Sequence, residues 1–352
     1  MFKYKLFAFI GLTILSMSCG SDKNDEKNVF SIDTSAMMQA YNPSLSVDLS
    51  IKNEKNKVID SVIYYLNDTN IGKSLKNEKI KFSLENEKLG YTRVKALIYS
   101  EGTNSETETN FIIYSKDAPE LLTYKIVNTY DHDGNSYTQG YEFYDGDLIE
   151  GSGQYGNSSL RKTDYKTGKV LEKIDLDKKY FGEGITVLKD KIYQLTWNEN
   201  QAFIYDAKTF KLEKSIPYFR KDMPGWGLTN DGTNLYMSDG SEKIYILNPE
   251  TFEMLDYINI YTNANKIDSI NEMEWVDGKI WANIYEKDMA IKINPKTGAI
   301  EKILNLSELK TKVTKTLQQG EVLNGIAYNP KTKTFLVTGK NWDKSFEISI
   351  EK

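Results

Sequence analysis

From Ser44 to about Ser115 the chain is written in short runs in which apolar and polar residues alternate. "SLSVDLSI", "DSVIYYL", "IKFSL", "YTRVKALIY" and "TNFIIYS" follow one another with polar turns between them. A two-residue period is that of strands with one face buried, and strands at this spacing predict a small all-β sandwich over residues 30–118. That stretch has no His or Cys and no cluster of acids at ligand spacing, so it reads as a spacer or docking unit. "SKDAPE", residues 115–120, marks its end.

Beyond it the pattern becomes a repeat. "EFYDGDLIE", "TVLKDKIYQ", "TNDGTNLYM", "EWVDGKIWA" and "YNPKTKTFLV" each set a polar turn between two apolar strands, a hairpin signature. The strands leaving these turns begin at Leu148, Ile192, Leu235, Ile280 and Phe335, so successive spacings are 44, 43, 45 and 55 residues. A second hairpin keeps the same beat: the threonines of "YKTGKV", "AKTFKL", "PETFEM" and "PKTGAI" stand at 167, 209, 251 and 297. Units of 40–50 residues built of strands are the mark of propeller blades, and five of them predict a five-bladed β-propeller over residues 119–352. The strand "LLTYKIVNTY", 121–130, has no unit of its own and is expected to complete the last blade and close the ring. An open sandwich would not repeat on so regular a period.

One position recurs in each unit. Nine residues before the first four strand starts lie Gln139, Glu183, Trp226 and Asn271, and the fifth unit, with its longer turn, supplies Asn324. Glycine follows in four of the five, at 140, 184, 227 and 325. The first strand of a blade is innermost, so these residues should converge on one end of a central channel, the glycine letting neighbouring backbones approach. Polar strand ends around a wet channel would give the same ring without chemistry. The second strands end in "QLTW" (Trp197), "YMSDG", "ANIY" (Tyr285) and "VTGKNW" (Lys340, Trp342). If these ends face the same mouth, Phe181, Trp197 and Trp226 form an aromatic box holding one acid, Glu183, and one base, Lys340. Such a box suits a small polar group on an apolar stem.

Composition narrows the classes. Of 352 residues 39% are hydrophobic and 27% charged, the net charge is −5, and Lys and Arg are scattered, which argues against nucleic acid as a partner. Tyr is abundant (24) and Pro scarce (7), as in β-rich proteins. One histidine, His132, and one cysteine, Cys19, cannot build a zinc site of the usual kind, so no catalytic metal or other cofactor is expected. "DHDGNS" around His132 spaces its acids like a calcium loop but lacks the distal Glu; it reads as a turn, with structural calcium a minor alternative. "GSGQYG" lacks the following Lys-Ser/Thr of a phosphate loop and reads as tight turns.

The N-terminus pairs Lys3 and Lys5 with an apolar run from Leu6 to Leu15 and then "SMSCG", too short a run to span a membrane stably. It resembles a bacterial lipoprotein signal, residues 1–19, with Cys19 as the lipid anchor; Ser16 departs from the larger aliphatic residue usual there. Residues 20–29 read as a polar tether. Gly20 after the cysteine implies, by resemblance to sorting rules, an outer-membrane lipoprotein facing periplasm or exterior, held to the membrane only through lipid. The sandwich of residues 30–118 resembles the Ig-like modules of exported bacterial proteins.

"YTQGYEF", "GSGQYGNSSLR", "YFGEGITVL", "YQLTW", "GWGLTNDG", "LYMSDGS", "NEMEW", "ANIY", "VLNGIAYN" and "VTGKNW" occur in this order. Over about residues 121–349 the chain thereby resembles the glutamine cyclotransferase family, the plant and bacterial type of glutaminyl-peptide cyclotransferase. The resemblance implies a five-bladed propeller that converts N-terminal Gln of peptides or proteins to pyroglutamate, releasing ammonia without zinc. By motif it puts the catalytic carboxylate on Glu183 and polar site positions on Gln139, Asn271 and Lys340. The aromatic lining falls on Phe181, Trp197 and Trp226. Tyr137 stands where the family usually has Phe, and Tyr285 where Trp is usual. The implied chemistry is a proton shuttle by Glu183, with Lys340, Asn271 and Gln139 as candidates to hold the amide oxygen and Tyr137, Tyr285 and Asn324 completing the substrate site. A non-catalytic propeller that binds peptide or glycan is the alternative; a quinone-dependent dehydrogenase is disfavoured because its tryptophan-docking repeats are absent.

Overall fold

The computed structural model describes residues 29–351, and within them the chain is all-β apart from one short helix, Ser307–Lys310. The expected signal, tether and Cys19 anchor lie outside the described residues, save for Val29 at the end of the tether.

Residues 30–113 form three sheets around one core. The largest runs in the order Ala40–Tyr41, Thr103–Ile113, Gly90–Ser100, Ile59–Leu66, Thr69–Leu75. Two-stranded sheets pair Phe30–Ile32 with Ile51–Asn53, and Ser46–Leu49 with Ile80–Ser83. The alternation read from "YTRVKALIY" is realised residue by residue: Thr92, Val94, Ala96 and Ile98 are buried while their neighbours turn outward. Val94, Ala96 and Ile98 pack with Val47, Leu49, Val62, Tyr64 and Phe111. Tyr261, far along the chain, joins this core, and Asn259 Nδ2 donates to the Leu89 carbonyl at 2.6 Å.

The later strands make three four-stranded antiparallel sheets and one of eight. Each of the five units expected from the repeat contributes an innermost strand, namely Thr138–Tyr144, Gly182–Leu188, Leu228–Asn230, Ile270–Val276 and Leu323–Asn329. These strands pack side by side, each against the next and the last against the first, so they enclose a central passage. The fourth and fifth units are not separate sheets. Strand Glu120–Asp131 pairs antiparallel with the final strand Lys344–Glu351, and its first three residues pair parallel with Ile300–Asn305. That short parallel seam fuses two four-stranded groups into the eight-stranded sheet.

The glycines after the ring positions sit where no side chain fits. A Cβ on Gly184 would lie 2.5 Å from the Trp226 carbonyl oxygen, on Gly140 2.3 Å from the Ile185 nitrogen, and on Gly227 1.8 Å from the Asn271 oxygen. The fourth unit has Glu272 instead of glycine, and its carboxylate crosses the passage. Its oxygens accept from the backbone N–H of Tyr141 (3.2 Å) and of Ile326 (2.8 Å), both on other inner strands.

Candidate active site

The ring residues meet at one mouth of the passage. A cavity of about 260 Å³ is lined by Tyr137, Gln139, Gln154, Phe181, Glu183, Trp197, Trp226, Asn271, Tyr285 and Lys340. Ligand pockets more often span roughly 300–1,000 Å³, so this one suits a single side chain with its adjoining amine. Inner strands supply Gln139, Glu183 and Asn271 at their entries, while Lys340 follows the strand Thr334–Gly339.

Glu183 is buried, and Gln139 Nε2 donates to its Oε1 at 3.1 Å. Gln139 is itself oriented by Asn324, whose Nδ2 donates to Gln139 Oε1 at 3.2 Å and to the Thr138 carbonyl at 2.9 Å. Asn324 thus lies behind the cavity wall and reaches the site through Gln139. Asn271 is buried with its side-chain oxygen unpaired among the described residues, leaving an acceptor at the wall.

Burial drives the Glu183 carboxyl well above the usual carboxylate range; the Lys340 charge opposes this and the Glu199 charge adds to it. Lys340 is buried too, and loss of water lowers its ammonium to about 8 despite the pull of Glu183. Among the described residues no other cation lines the cavity. Acid and base therefore share a poorly solvated space that moves their proton affinities toward each other, the carboxyl upward and the ammonium downward.

The walls are aromatic. Phe181 meets Trp197 at 5.6 Å between ring centres and Tyr137 at 6.2 Å, and Trp226 meets Tyr285 at 5.6 Å, all edge-on. Trp226 lies so close to Gly240, which has φ +80°, that a Cβ there would be 2.7 Å from the indole. Trp197 stays more than a third exposed at the rim.

Three features escape the sequence reading. Gln154 lines the mouth from "GSGQYG", in a backbone conformation (φ 98°) that side chains rarely adopt. Glu199 accepts from Tyr155 Oη at 2.8 Å and from the Phe181 N–H at 3.3 Å, tying the rim to the strand that carries Glu183. "DHDGNS" is a turn, yet His132 is buried against Glu150 and Asp133 is paired with Arg161 at 2.7 Å. Among the described residues no group of three or more His, Cys, Asp and Glu is arranged to hold a metal ion.

The model of the glutamine cyclotransferase family matches residues 93–350. The chain belongs to the glutamine cyclotransferase family. This family match begins within the strand Gly90–Ser100, ahead of the first recognisable motif at Tyr137. Over 232 residues, 65% of this chain and 71% of the relative, the sequence is 37% identical to a glutaminyl-peptide cyclotransferase of Arabidopsis thaliana. Among solved structures, the glutaminyl cyclase of Myxococcus xanthus matches with a TM-score of 0.62 at 28% identity, covering 66% of this chain and 98% of that one.

Within the cyclotransferase frame, the two departures from the usual pattern turn out to be neighbours. Tyr137 and Tyr285 flank Lys340, whose Nζ lies 4.9 Å from each ring centre. Tyr137 Oη donates to the Gly320 carbonyl at 3.2 Å, so its added hydroxyl is used in holding the ring rather than pointing at the lysine.

Proposed function

We propose that this cyclotransferase-family chain converts N-terminal glutamine of peptides or proteins to pyroglutamate with release of ammonia, and that Glu183 carries the protons. The family membership supports the reaction; the observation that carries the assignment of roles is one buried carboxylate facing one buried ammonium in a small aromatic cavity.

The α-amine attacks the γ-carboxamide carbon of its own side chain. A C–N bond forms, the carboxamide C–N bond breaks, and nitrogen leaves as ammonia. Glu183, ionised, accepts the amine proton and hands it to the departing nitrogen, which cannot leave as amide ion. Its raised pKa suits both halves of that transfer. Negative charge gathers on the amide oxygen, where Lys340 and the amides of Gln139 and Asn271 are the candidate partners, each donor typically worth about 2.7–4 kcal/mol. The unpaired Asn271 oxygen suits the carboxamide N–H. Phe181, Trp197, Trp226, Tyr137 and Tyr285 would hold the side chain folded back on its amine, since ring closure gains chiefly from orientation. Among the described residues the lining holds no histidine or cysteine, and the reaction is proposed to run without zinc.

The same proposal takes the ring of inner strands as a five-bladed propeller over residues 119–352 and residues 30–118 as an Ig-like module. In it, Cys19 is a lipid anchor that holds the enzyme at the outer membrane.

The test is ammonia release from a Gln-initiated peptide, followed by mass. Wild type should lose 1 ammonia per peptide with EDTA present, and Glu183→Gln should stay folded and lose turnover by at least about 100-fold, the scale of a general acid–base group. Turnover near wild type in that variant would remove Glu183 from the chemistry. Peptide bound without ammonia release by wild type would leave a binding module.

A further inference from the structure

The chain's single histidine plays no part in the mechanism above, yet it is buried beside the turn that carries Lys340. His132 Nδ1 lies 2.7 Å from the Trp342 carbonyl oxygen, and Nε2 lies 3.1 Å from Glu150 Oε1. A carbonyl only accepts, so Nδ1 bears a hydrogen. Glu150 Oε1 already accepts from the hydroxyls of Ser136 and Thr138 (2.8 Å to the latter), so it has no proton to offer, and Nε2 must donate as well. The ring is therefore an imidazolium facing a carboxylate.

The other charged and titratable groups around it fit that state. Glu150 is held at about 2, since burial, which would raise it, is outweighed by His132 and then Arg161. Asp133 carries its own cation in Arg161, Tyr141 meets the imidazole edge-on at 6.1 Å, and Asp343 accepts the His132 backbone N–H through its carbonyl at 3.0 Å. Burial, the largest single influence, would favour a neutral ring, but the charge and hydrogen bond of Glu150, the Trp342 carbonyl and the Asp133 charge together more than offset it.

The turn is also tied to the segment before its hairpin. There the Lys340 N–H donates to the Val322 carbonyl at 2.9 Å, Asn341 Nδ2 to Glu321 Oε1 at 3.0 Å and Trp342 Nε1 to the Glu321 carbonyl at 3.2 Å. The Trp342 carbonyl itself is held by His132. The Trp342 N–H closes on the Gly339 carbonyl at 3.0 Å, and Asn341 has a left-handed φ of 56°. The Asn341 N–H is taken by the Ser136 carbonyl at 2.7 Å, in the segment His132 begins. Lys340 sits inside that turn. We propose that His132, as a buried imidazolium clamped between Glu150 and the Trp342 carbonyl, is a positioning residue that fixes the Gly339–Trp342 turn and so aims Lys340 into the cavity. The proposal rests on the cyclisation reading for its kinetic consequence, though not for the state of the ring.

With one histidine in the sequence, nitrogen-15 histidine labelling of protein made without a polyhistidine tag gives one imidazole to observe. Both ring nitrogens should be protonated at pH 7; a neutral ring would overturn the proposal. In His132→Phe, kcat for Gln-peptide should fall at least tenfold with KM changed less than threefold. The alkaline fall in activity, set by Lys340, should also move to higher pH as its ammonium regains water. A folded variant with wild-type kcat and pH profile would overturn the role. Glu150→Gln guards against misfolding of the first variant: its ring should be neutral at pH 7 and its kcat reduced, whereas a neutral ring with unchanged kcat overturns the proposal. No ammonia release by wild type would sink the cyclisation reading, and the labelling result would still decide the ring.

Discussion

Lys340 and Glu183 each shift the other, and burial acts on them in opposite directions, lowering the ammonium and raising the carboxyl. In the proposed mechanism the reactive form pairs an ionised Glu183 with a charged Lys340. Activity should therefore climb as pH passes the raised Glu183 value and fall above about 8 as Lys340 loses its proton. Lys340→Met should remove that alkaline fall and lower kcat by about 10²–10³, the usual effect of deleting one donor to a developing oxyanion. A kcat–pH profile for the two proteins checks both points, and an unchanged alkaline limb would count against Lys340. At this scale much was legible in the sequence. Gln139, Glu183, Trp226 and Asn271 announced themselves through the repeat, because equivalent positions in equivalent strands must converge. Gln154, Glu199 and His132 did not, because they stand in turns and loops whose direction no periodicity encodes.

Among elements, the inner strands are spaced by what is missing from them. Glycine at 140, 184 and 227 leaves each backbone in contact with the next, and any side chain would have to push two sheets apart. Gly184→Ala should destabilise the fold by about 1–3 kcal/mol or more, the range of overpacking, seen as a lower thermal midpoint. A midpoint equal to wild type would mean that the strands are free to separate. Glu272 shows why the glycine pattern breaks in one unit: its carboxylate supplies acceptors for backbone N–H groups that no ladder partner reaches. The sequence displayed the exception but not its cause, since the groups it satisfies, at Tyr141 and Ile326, lie 131 and 54 residues away. The fusion of the last two sheets was likewise hidden, because a three-residue parallel pairing leaves no pattern of its own.

Across the whole molecule, buried carboxylates make stability depend on pH. Burial pushes Glu272 and Glu274 well above the usual range, and the charge of Glu142 adds to the push on both. The native state thus keeps protons that the unfolded chain releases above its ordinary value of 4.5, and stability declines as pH rises from there through the raised values. Glu150 works the other way: its depressed pKa gives stability that is present above 4.5 and lost as pH falls through about 2. Thermal midpoints measured against pH should therefore peak on the acid side of neutrality. Glu274→Gln, which keeps an acceptor for the Tyr328 N–H, should flatten the decline toward alkaline pH; an undiminished slope would remove Glu274 from this balance. At the largest scale of all, Cys19→Ser should move the protein from the membrane to the soluble fraction if lipid is its tether.

The seam made by Glu120–Asp131 has a consequence in time. Its antiparallel partner is the last strand of the described chain, Lys344–Glu351, so the ring joins residues more than two hundred positions apart. Pairings so distant are slow to find, and here the last one must wait until both strands are present. Until then Leu122, Tyr124 and Ile126 have no final strand to cover them, and Lys340 has no closed ring to be aimed into. A ring built this way completes its candidate site only once the strands Glu120–Asp131 and Lys344–Glu351 have met.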